Sequence, residues 1–565
     1  MDQSLAPPMT RSPARTYAIG ALLLALAWFG PLGLRDIAHP DEGRYSEIAR
    51  EMVATGDWVT PRLDGLKYFE KPALQYWATA VAFKLFGQSE FVARLWPALA
   101  GFLCVLVAGF TAGRLWGRKA GEYAALALAG MAGMVALAGI VTLDMSLTLF
   151  LTLALCAFLL AGDERAPEPL RRRWMRLVWA AMAGAMLSKG LVGLVIPGAT
   201  LVLHSLLRRD FAFWKRLEWV RGPLIFLAIA APWFVLVSIR NPEFPQFFFI
   251  HEHFSRFATS EANRPGPIYY FVPLLLFFAL PWTSLLPQAV RYAAAPAATH
   301  RPENRLLLAW SAFTFAFFSI SHSKLPPYIL PMLPAVALLL GQSLAAAPAG
   351  LLRAHARGVA IFWGAIAALA LVLATLEAQP EVVLRSLAVI NWTPNDLDRA
   401  FAPWLISGAA IYAALSALAA RQSGRGDKDA AMVLLAAAGL LGSATLLAGY
   451  QAYSPIKSAR ALIAQVAPQI TPDTELFTVN VYDQTVPFYL KRTLTVVGFT
   501  GELELGEQME PERWIPKLGA FTRRWNAAPR AAAVTTAETM QQLADMGLPM
   551  KVLAQDERRV VIAKP

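Results

Sequence analysis

The sequence predicts a mainly α, polytopic membrane protein of about thirteen transmembrane helices, with a small α/β region at its C-terminal end. Three observations predict it. The 565 residues are 56% hydrophobic and only 16% charged, where a soluble domain carries about 25% charged residues. Apolar runs of about 20 residues recur along the chain, as spanning helices require. The loops between those runs alternate in basic character, as the positive-inside rule demands.

Arg11 and Arg15 precede the first run, 17–34, and no A-x-A-like cleavage site follows it; this reads as an uncleaved signal anchor. Further spans are expected at 91–113, 120–139, 143–161, 174–190, 191–207, 223–240, 268–290, 306–321, 327–345, 359–376, 402–420 and 430–450. The 17 Trp and 32 Phe suit a chain with many membrane interfaces. Cys104 and Cys156 fall inside apolar runs and read as small hydrophobes, not as a disulfide or metal pair.

With the N-terminus inside, every expected cytoplasmic loop is basic. Arg114, Arg118 and Lys119 follow span two; Arg171, Arg172 and Arg173 follow span four; Arg208, Arg209, Lys215 and Arg216 follow span six. The same pattern continues through Arg291, Arg353, Arg357, Arg421 and Lys428. The net charge of +12 is therefore assigned to loops and to anionic lipid, not to nucleic acid, for which no motif exists. An odd span count leaves the C-terminus outside.

The membrane domain is thus 1–454. It contains two external stretches, 35–90 and 241–267. The first should hold membrane-plane amphipathic helices near 45–53 and 72–86. The tail, 455–565, has soluble composition. Strands are expected at 475–481, 493–499, 550–554 and 558–562, and helices at 459–466 and 537–545.

Candidate chemistry gathers on the external side. His39-Pro40-Asp41-Glu42-Gly43-Arg44-Tyr45 places two carboxylates beside an imidazole and a guanidinium. Asp41 and Glu42 can orient a sugar, act as a base or bind a metal; alternatively Asp41 is a helix N-cap. In Lys67-Tyr68-Phe69-Glu70-Lys71-Pro72, Lys71 can bind phosphate as a point charge, or simply pair with Glu70.

His251-Glu252-His253 can bind a divalent metal such as zinc on extended backbone, where alternate side chains share a face, with Glu70 or Glu252 as a third ligand. The other reading packs these histidines against Phe247, Phe248 and Phe249. Arg256 suits an oxyanion through its planar fork. Asp144, Lys189, Lys324 and Tyr328 stand at the external ends of spans. Each lysine either snorkels to the interface or contributes to a site for a charged headgroup whose tail stays in the bilayer.

The stretch from His39 through Met52, with Gly56-Asp57-Trp58-Val59-Thr60-Pro61 and Tyr68-Phe69-Glu70-Lys71-Pro72, closely resembles bacterial aminoarabinose transferases of lipid A, within the GT-C, protein-mannosyltransferase-like class. Ser188-Lys189-Gly190 and His322-Ser323-Lys324-Leu325-Pro326-Pro327-Tyr328 are similar to shorter motifs of that family. The resemblance implies transfer of 4-amino-4-deoxy-L-arabinose from undecaprenyl phosphate to a lipid A phosphate, at the periplasmic face of the bacterial inner membrane. Such transfer confers resistance to polymyxin and other cationic peptides. No nucleotide cofactor is expected, and the chain lacks a Rossmann glycine fingerprint.

The resemblance also implies roles. Asp41 matches the acidic position in the first external loop, with Glu42 and Asp144 as further catalytic candidates. Lys71, Arg256, Lys189 and Lys324 would bind donor phosphate. Arg44, Tyr45, Tyr68 and Tyr328 would contact substrate. Two rival functions are a protein O-mannosyltransferase-like enzyme using another polyprenyl-phosphate sugar, and a lipid transporter. A transporter would more often show inverted repeats and mid-membrane charge.

Overall fold

In the computed structural model, residues 13–255, 265–295, 301–377 and 396–565 are described. A helical bundle occupies the chain to residue 457, and a mixed sheet with helices follows. Among the described residues seven helices are long and apolar enough to cross a membrane, or up to nine if each of two bent pairs is one span. The other four expected positions hold Leu22–Gly33, Glu168–Lys189, Val192–Arg208 and Arg301–Ile320, which are shorter or more charged.

The bends have identifiable causes. Arg118–Gly130 meets Ala132–Ala138 at 60° behind Gly130, and Phe271–Phe278 meets Thr283–Ala294 at 107° around Pro281. Glycine and proline are the usual sites of sharp kinks. The two breaks touch: the Ala132 N–H donates to the Leu280 carbonyl at 2.9 Å. Close approach continues at Gly439, where a Cβ would lie 2.0 Å from the Gly130 carbonyl oxygen. Small residues let spanning helices approach in this way.

The first long loop differs from expectation at both helices. One runs over Asp41–Thr55, starting four residues early, and Pro40 is its N-cap. Asp41 and Glu42 lie in its first turn, where carboxylates complement the helix dipole. Asp41 is therefore not the cap. This helix is not laid on a bilayer by an apolar face either: Glu42 to Ala49, Glu51 and Met52 are all buried. The second helix is Leu74–Phe86, so Pro72 precedes its N-cap, Ala73. It leaves Val81, Leu85 and Phe86 exposed, an apolar edge suited to lipid.

The C-terminal sheet orders its strands Trp514–Ile515, Thr495–Val497, Glu475–Val479, Ala531–Thr535, Val560–Ala563 and Lys551–Gln555. The first four run parallel; the last two pairings are antiparallel. Central Ala531–Thr535 is buried at every position. It escapes sequence reading because three alanines carry little strand propensity and packing decides the conformation. One hydrophobic cluster joins this region to the first loop, bringing Tyr45, Ile48, Tyr68, Phe69 and Tyr76 together with Tyr482, Phe488, Val496 and Leu503.

Candidate active site

Gly43 sets the register between the first loop and the C-terminal region. A Cβ there would lie 2.7 Å from the Gln484 backbone carbon. This contact brings Glu502 to Arg44, and the two form an ion pair. Arg44 also donates to Asp41 Oδ1 at 2.8 Å. Gln484 holds the other side of Glu502, donating to Oε1 at 2.6 Å. Asp41, Arg44 and Glu502 thus form a chain from the first loop to the tail.

Asp41 is 40% exposed at its side chain, the most open member of this chain. Around Arg44 lie Tyr45, Tyr68 and Tyr76, all buried. Burial, reinforced by Glu70 and Asp41 among others, pushes their phenols well above the usual range, so they remain neutral hydroxyls. Among the described residues, the Tyr68 and Tyr76 hydroxyls, Arg44 Nε and Ser46 Oγ have no hydrogen-bond partner. Buried polar atoms are rarely left so, which marks this buried cluster around Arg44 as a candidate polar site.

Glu42 corrects the expectation that it reacts. Arg94 Nε and one terminal nitrogen donate to its two oxygens at 2.8 Å each; the backbone N–H groups of Ala38 and Val141 add bonds of 3.1 Å. A carboxylate has about four acceptor positions, and all are filled. Burial would raise its pKa, but Arg94 and Arg35 outweigh burial and hold it down to about 2. Glu42 anchors the loop to the bundle. The His39 backbone N–H donates to the Lys457 carbonyl at 2.8 Å, and burial, with Asp483 opposing it and Arg558 adding to it, lowers its ring to about 4.

A second group gathers from three helices. Asp144 opens Asp144–Gly162, and Lys189 closes Glu168–Lys189 just before Gly190 at φ +83°. Their side chains form an ion pair. The Lys189 ammonium also sits 4.4 Å from the Tyr328 ring centroid, a cation–π distance. Ser146, one half-turn from Asp144, accepts from Trp96 and donates to Gln75 Oε1, each at 2.7 Å. This bond ties the helix that carries Asp144 to the helix that carries Tyr76.

The remaining candidates are more dispersed. Lys71 donates to the Glu70 carbonyl at 2.7 Å and stands 3.8 Å from its carboxylate, the pairing anticipated for these neighbours. Lys324 is buried and donates to the Ser319 and Ser321 carbonyls, closing the end of Arg301–Ile320. Two of its three donors are thereby used on backbone. His251 lies on the π-helical segment Gln246–Ser255, not on extended backbone. Residues two apart on a helix do not face each other, so the premise that His251 and His253 share a face fails. His251 is stacked on Phe247 at 5.2 Å. The His253 side chain and all of Arg256 lie outside the described residues. Among the described residues no group of three or more His, Cys, Asp or Glu side chains is placed to hold a metal.

Glu502, Gln484, Tyr76 and Arg94 were not legible as site residues. Glu502 and Gln484 sit in tail segments without a motif, and Arg94 reads as an ordinary residue at the start of a span. Tyr76 stood in plain view only as part of an apolar helix face.

Carboxylates, cations and unpartnered phenols at one end of a helical bundle, roofed by a small mixed sheet, define a multi-pass membrane enzyme of the GT-C glycosyltransferase class. Residues 14–248 match the family model for dolichyl-phosphate-mannose-protein mannosyltransferase, and residues 462–564 match the aminoarabinose transferase C-terminal domain. The crystal structure of ArnT from Cupriavidus metallidurans bound to undecaprenyl phosphate is similar at TM-score 0.90 and 38% identity, covering 98% of each chain. Its apo structure gives 0.88 and 37% over the same shares. The chain belongs to the aminoarabinose transferase family.

Curated relatives agree. The undecaprenyl phosphate-alpha-4-amino-4-deoxy-L-arabinose arabinosyl transferase of Erwinia tasmaniensis is 36% identical over 62% of this chain and 64% of its own length. Transferase 1 of Pseudomonas fluorescens is 37% identical over 58% and 60%. These matches span under two thirds of the relatives' lengths. The Shewanella sediminis transferase is 28% identical over 88% of this chain and 89% of its own.

Proposed function

We propose that this protein transfers 4-amino-4-deoxy-L-arabinose from undecaprenyl phosphate to a phosphate of lipid A, at the periplasmic face of the bacterial inner membrane. The observation that carries the reading is the full-length likeness, at 38% identity, to a relative bound to undecaprenyl phosphate. All thirteen expected positions cross the membrane, and the C-terminal region lies in the periplasm, in keeping with the basic loops on the opposite side. The product carries an added amine, which weakens attraction of polymyxin and related cationic peptides.

The acceptor phosphate is already ionised and needs no strong base. One of its oxygens attacks the anomeric carbon as the bond to undecaprenyl phosphate breaks, and the leaving phosphate keeps the electron pair. Lys71 and Lys189, each beside a carboxylate, exchange that partner for phosphate, so their charge stabilises the leaving group. Lys324 offers its third donor, and Arg256 supplies a further fork. Asp41 has Arg44 on one oxygen and leaves the other for the donor's amine or for positive charge at the anomeric carbon. The cluster of Arg44, Tyr45, Tyr68 and Tyr76 faces the sugar, and Tyr328 supports Lys189. Asp144 holds Lys189 between turnovers.

The proposal includes a divalent ion such as zinc, for which Glu70, His251 and His253 are the donor candidates. Carboxylate and imidazole suit zinc. The ion would supply electrostatic stabilisation of phosphate. Elemental analysis of wild type and His251→Ala, with chelator treatment of the transfer reaction, tests this part. Purified protein given undecaprenyl phosphate-aminoarabinose and lipid A should yield modified lipid A. Absence of product there, with transfer from a different polyprenyl sugar or to a protein acceptor, would favour the mannosyltransferase-like rival.

A further inference from the structure

The link between the helices Val192–Arg208 and Arg221–Arg240 holds only the short helical piece Ala212–Arg216, yet aromatic rings fix its course. The Trp214 indole donates to Ser205 Oγ at 2.9 Å, and the Trp219 indole donates to the Trp214 carbonyl at 2.8 Å. Phe213, Trp214 and Trp219 stack in turn, with centroids 5.5 and 6.1 Å apart. Trp179, from Glu168–Lys189, packs edge-on against Trp219 and donates to the Leu217 carbonyl at 2.7 Å. Arg176 pairs with Glu218 at 3.1 Å. At Gly222 a Cβ would stand 2.1 Å from the Trp179 indole nitrogen. The link is therefore pinned to the bundle.

What this pinned segment exposes is unusual for a loop in water. Phe211, Trp219 and Val220 are 54%, 53% and 75% exposed. Arg209, Lys215 and Arg221 are exposed among them, as is Arg173 on the neighbouring helix, and none of the four has an ion-pair partner among the described residues. The nearby carboxylates are already engaged: Asp210 by Arg208, Glu218 by Arg176 and Glu168 by Arg172. Apolar rings in water forgo burial energy, and unmatched cations repel one another. A boundary of acyl chains and phosphates relieves both. Exposed apolar side chains lead into the segment from either side, Val202 and Leu206 before it and Leu224 and Leu227 after it. Arg173 and Lys189 belong to one helix and stand about 24 Å apart along its axis at 1.5 Å per residue. The segment thus lies at the end of the bundle away from the candidate site.

We propose that residues 208–221, with Arg173, form a docking surface for anionic glycerophospholipids of the bilayer. Phosphodiesters lie on Arg173, Arg209, Lys215 and Arg221, and acyl chains lie beside Phe211, Trp219 and Val220. Charge selects the class: unpaired cations favour a headgroup with net negative charge, such as phosphatidylglycerol, over a zwitterionic one. The aromatic stack holds the segment in shape before lipid arrives, so binding carries little ordering cost. The surface contributes no group to sugar transfer, and it stands or falls separately from that activity.

The test uses the full-length protein, delipidated in mild detergent, with dioleoyl phosphatidylglycerol and dioleoyl phosphatidylcholine as probes. Phosphatidylglycerol should raise the melting temperature in a saturable way, with a midpoint that weakens at high salt; phosphatidylcholine should not. Arg209→Gln with Lys215→Gln should weaken the midpoint about 30-fold, the scale of two charges at a lipid surface. Arg357→Gln with Arg425→Gln removes two exposed cations from other segments and should leave it unchanged. A photoreactive phosphatidylglycerol should label wild type within residues 208–221. Equal stabilisation by phosphatidylcholine would overturn the surface, as would labelling confined to other segments. So would a wild-type midpoint in the Arg209/Lys215 variant, or an equal shift in the Arg357/Arg425 variant, which would reduce the effect to net charge. Undecaprenyl phosphate should stabilise wild type and the Arg209/Lys215 variant alike; its loss in the variant would assign these cations to the donor lipid instead.

Discussion

Arg44 bonds Asp41 within one turn of the same helix and also pairs with Glu502 from the far end of the chain. The most exposed carboxylate of the candidate site is therefore oriented by a residue that the C-terminal region holds in place. That region acts as part of the site's frame.

Gly43→Ala tests the frame. The new Cβ would press on the Gln484 backbone, which cannot swing aside as a side chain can. The variant should lose most transfer and become sensitive to proteolysis between residues 455 and 485. A fully active, protease-resistant Gly43→Ala protein would mean the seam has slack that the geometry does not contain.

Glu42→Gln leaves Arg35 and Arg94 without a buried counter-charge. Breaking a buried pair costs about 3–5 kcal/mol, so detergent-solution melting should drop steeply. The pH sign follows from the depressed pKa. Its ordinary value is 4.5 and its folded value about 2, so its contribution is complete above 4.5 and lost as pH falls toward 2. Thermal scans of wild type and variant should converge on acidification.

The opposite sign holds at Glu51. Burial first, then Glu47, pushes it up to about 8. Its oxygens accept the Asp64 and Gly65 backbone N–H groups, and Asp64 in turn accepts from Leu494 across the seam. Arg50, paired with Glu47, is the nearby cation, and the Tyr482 phenol faces the same carboxylates. A raised carboxyl stabilises fully below 4.5 and loses that contribution as pH climbs through 8. Glu51→Gln should flatten the decline in melting temperature between those values. An unchanged slope would place the titrating group elsewhere.

Much of this was legible in residue order. The spacing of apolar runs located the seven helices long enough to cross a membrane and the two bent pairs among the described residues, because bilayer thickness fixes run length. Asp41, Arg44 and Tyr45 stand in one continuous motif and needed only a helical turn to converge, whereas Tyr68 comes from the second motif and reaches them through the fold. Asp144 and Lys189 were recognisable singly, but their pairing joins two helix ends 45 residues apart. Glu502 carried no signal, since a glutamate in a soluble tail is ordinary until the fold delivers it to Arg44. Glu42 misled for the converse reason: beside Asp41 in sequence, it points into the bundle because successive residues on a helix face different ways.

Lys189→Met removes the charge that Asp144 and Tyr328 hold in place. Stabilisation of a leaving phosphate by one dry charge is worth about 2–4 kcal/mol, so transfer should fall by that scale with protein level unchanged. Lys71→Ala should behave alike. If both variants modify lipid A at the wild-type rate, neither lysine meets the phosphate.

Asp41→Asn addresses the central claim most directly. Asparagine keeps the size and an oxygen to accept from Arg44, and Pro40 remains the helix cap, so the fold should be preserved. Only the carboxylate's charge is removed. The measurement is aminoarabinose-modified lipid A by mass spectrometry, beside protein level and monodispersity in detergent. A well-folded protein with transfer reduced about 100-fold or more is expected, the scale of a positioned catalytic group. Near wild-type modification by a well-folded Asp41→Asn protein would contradict it.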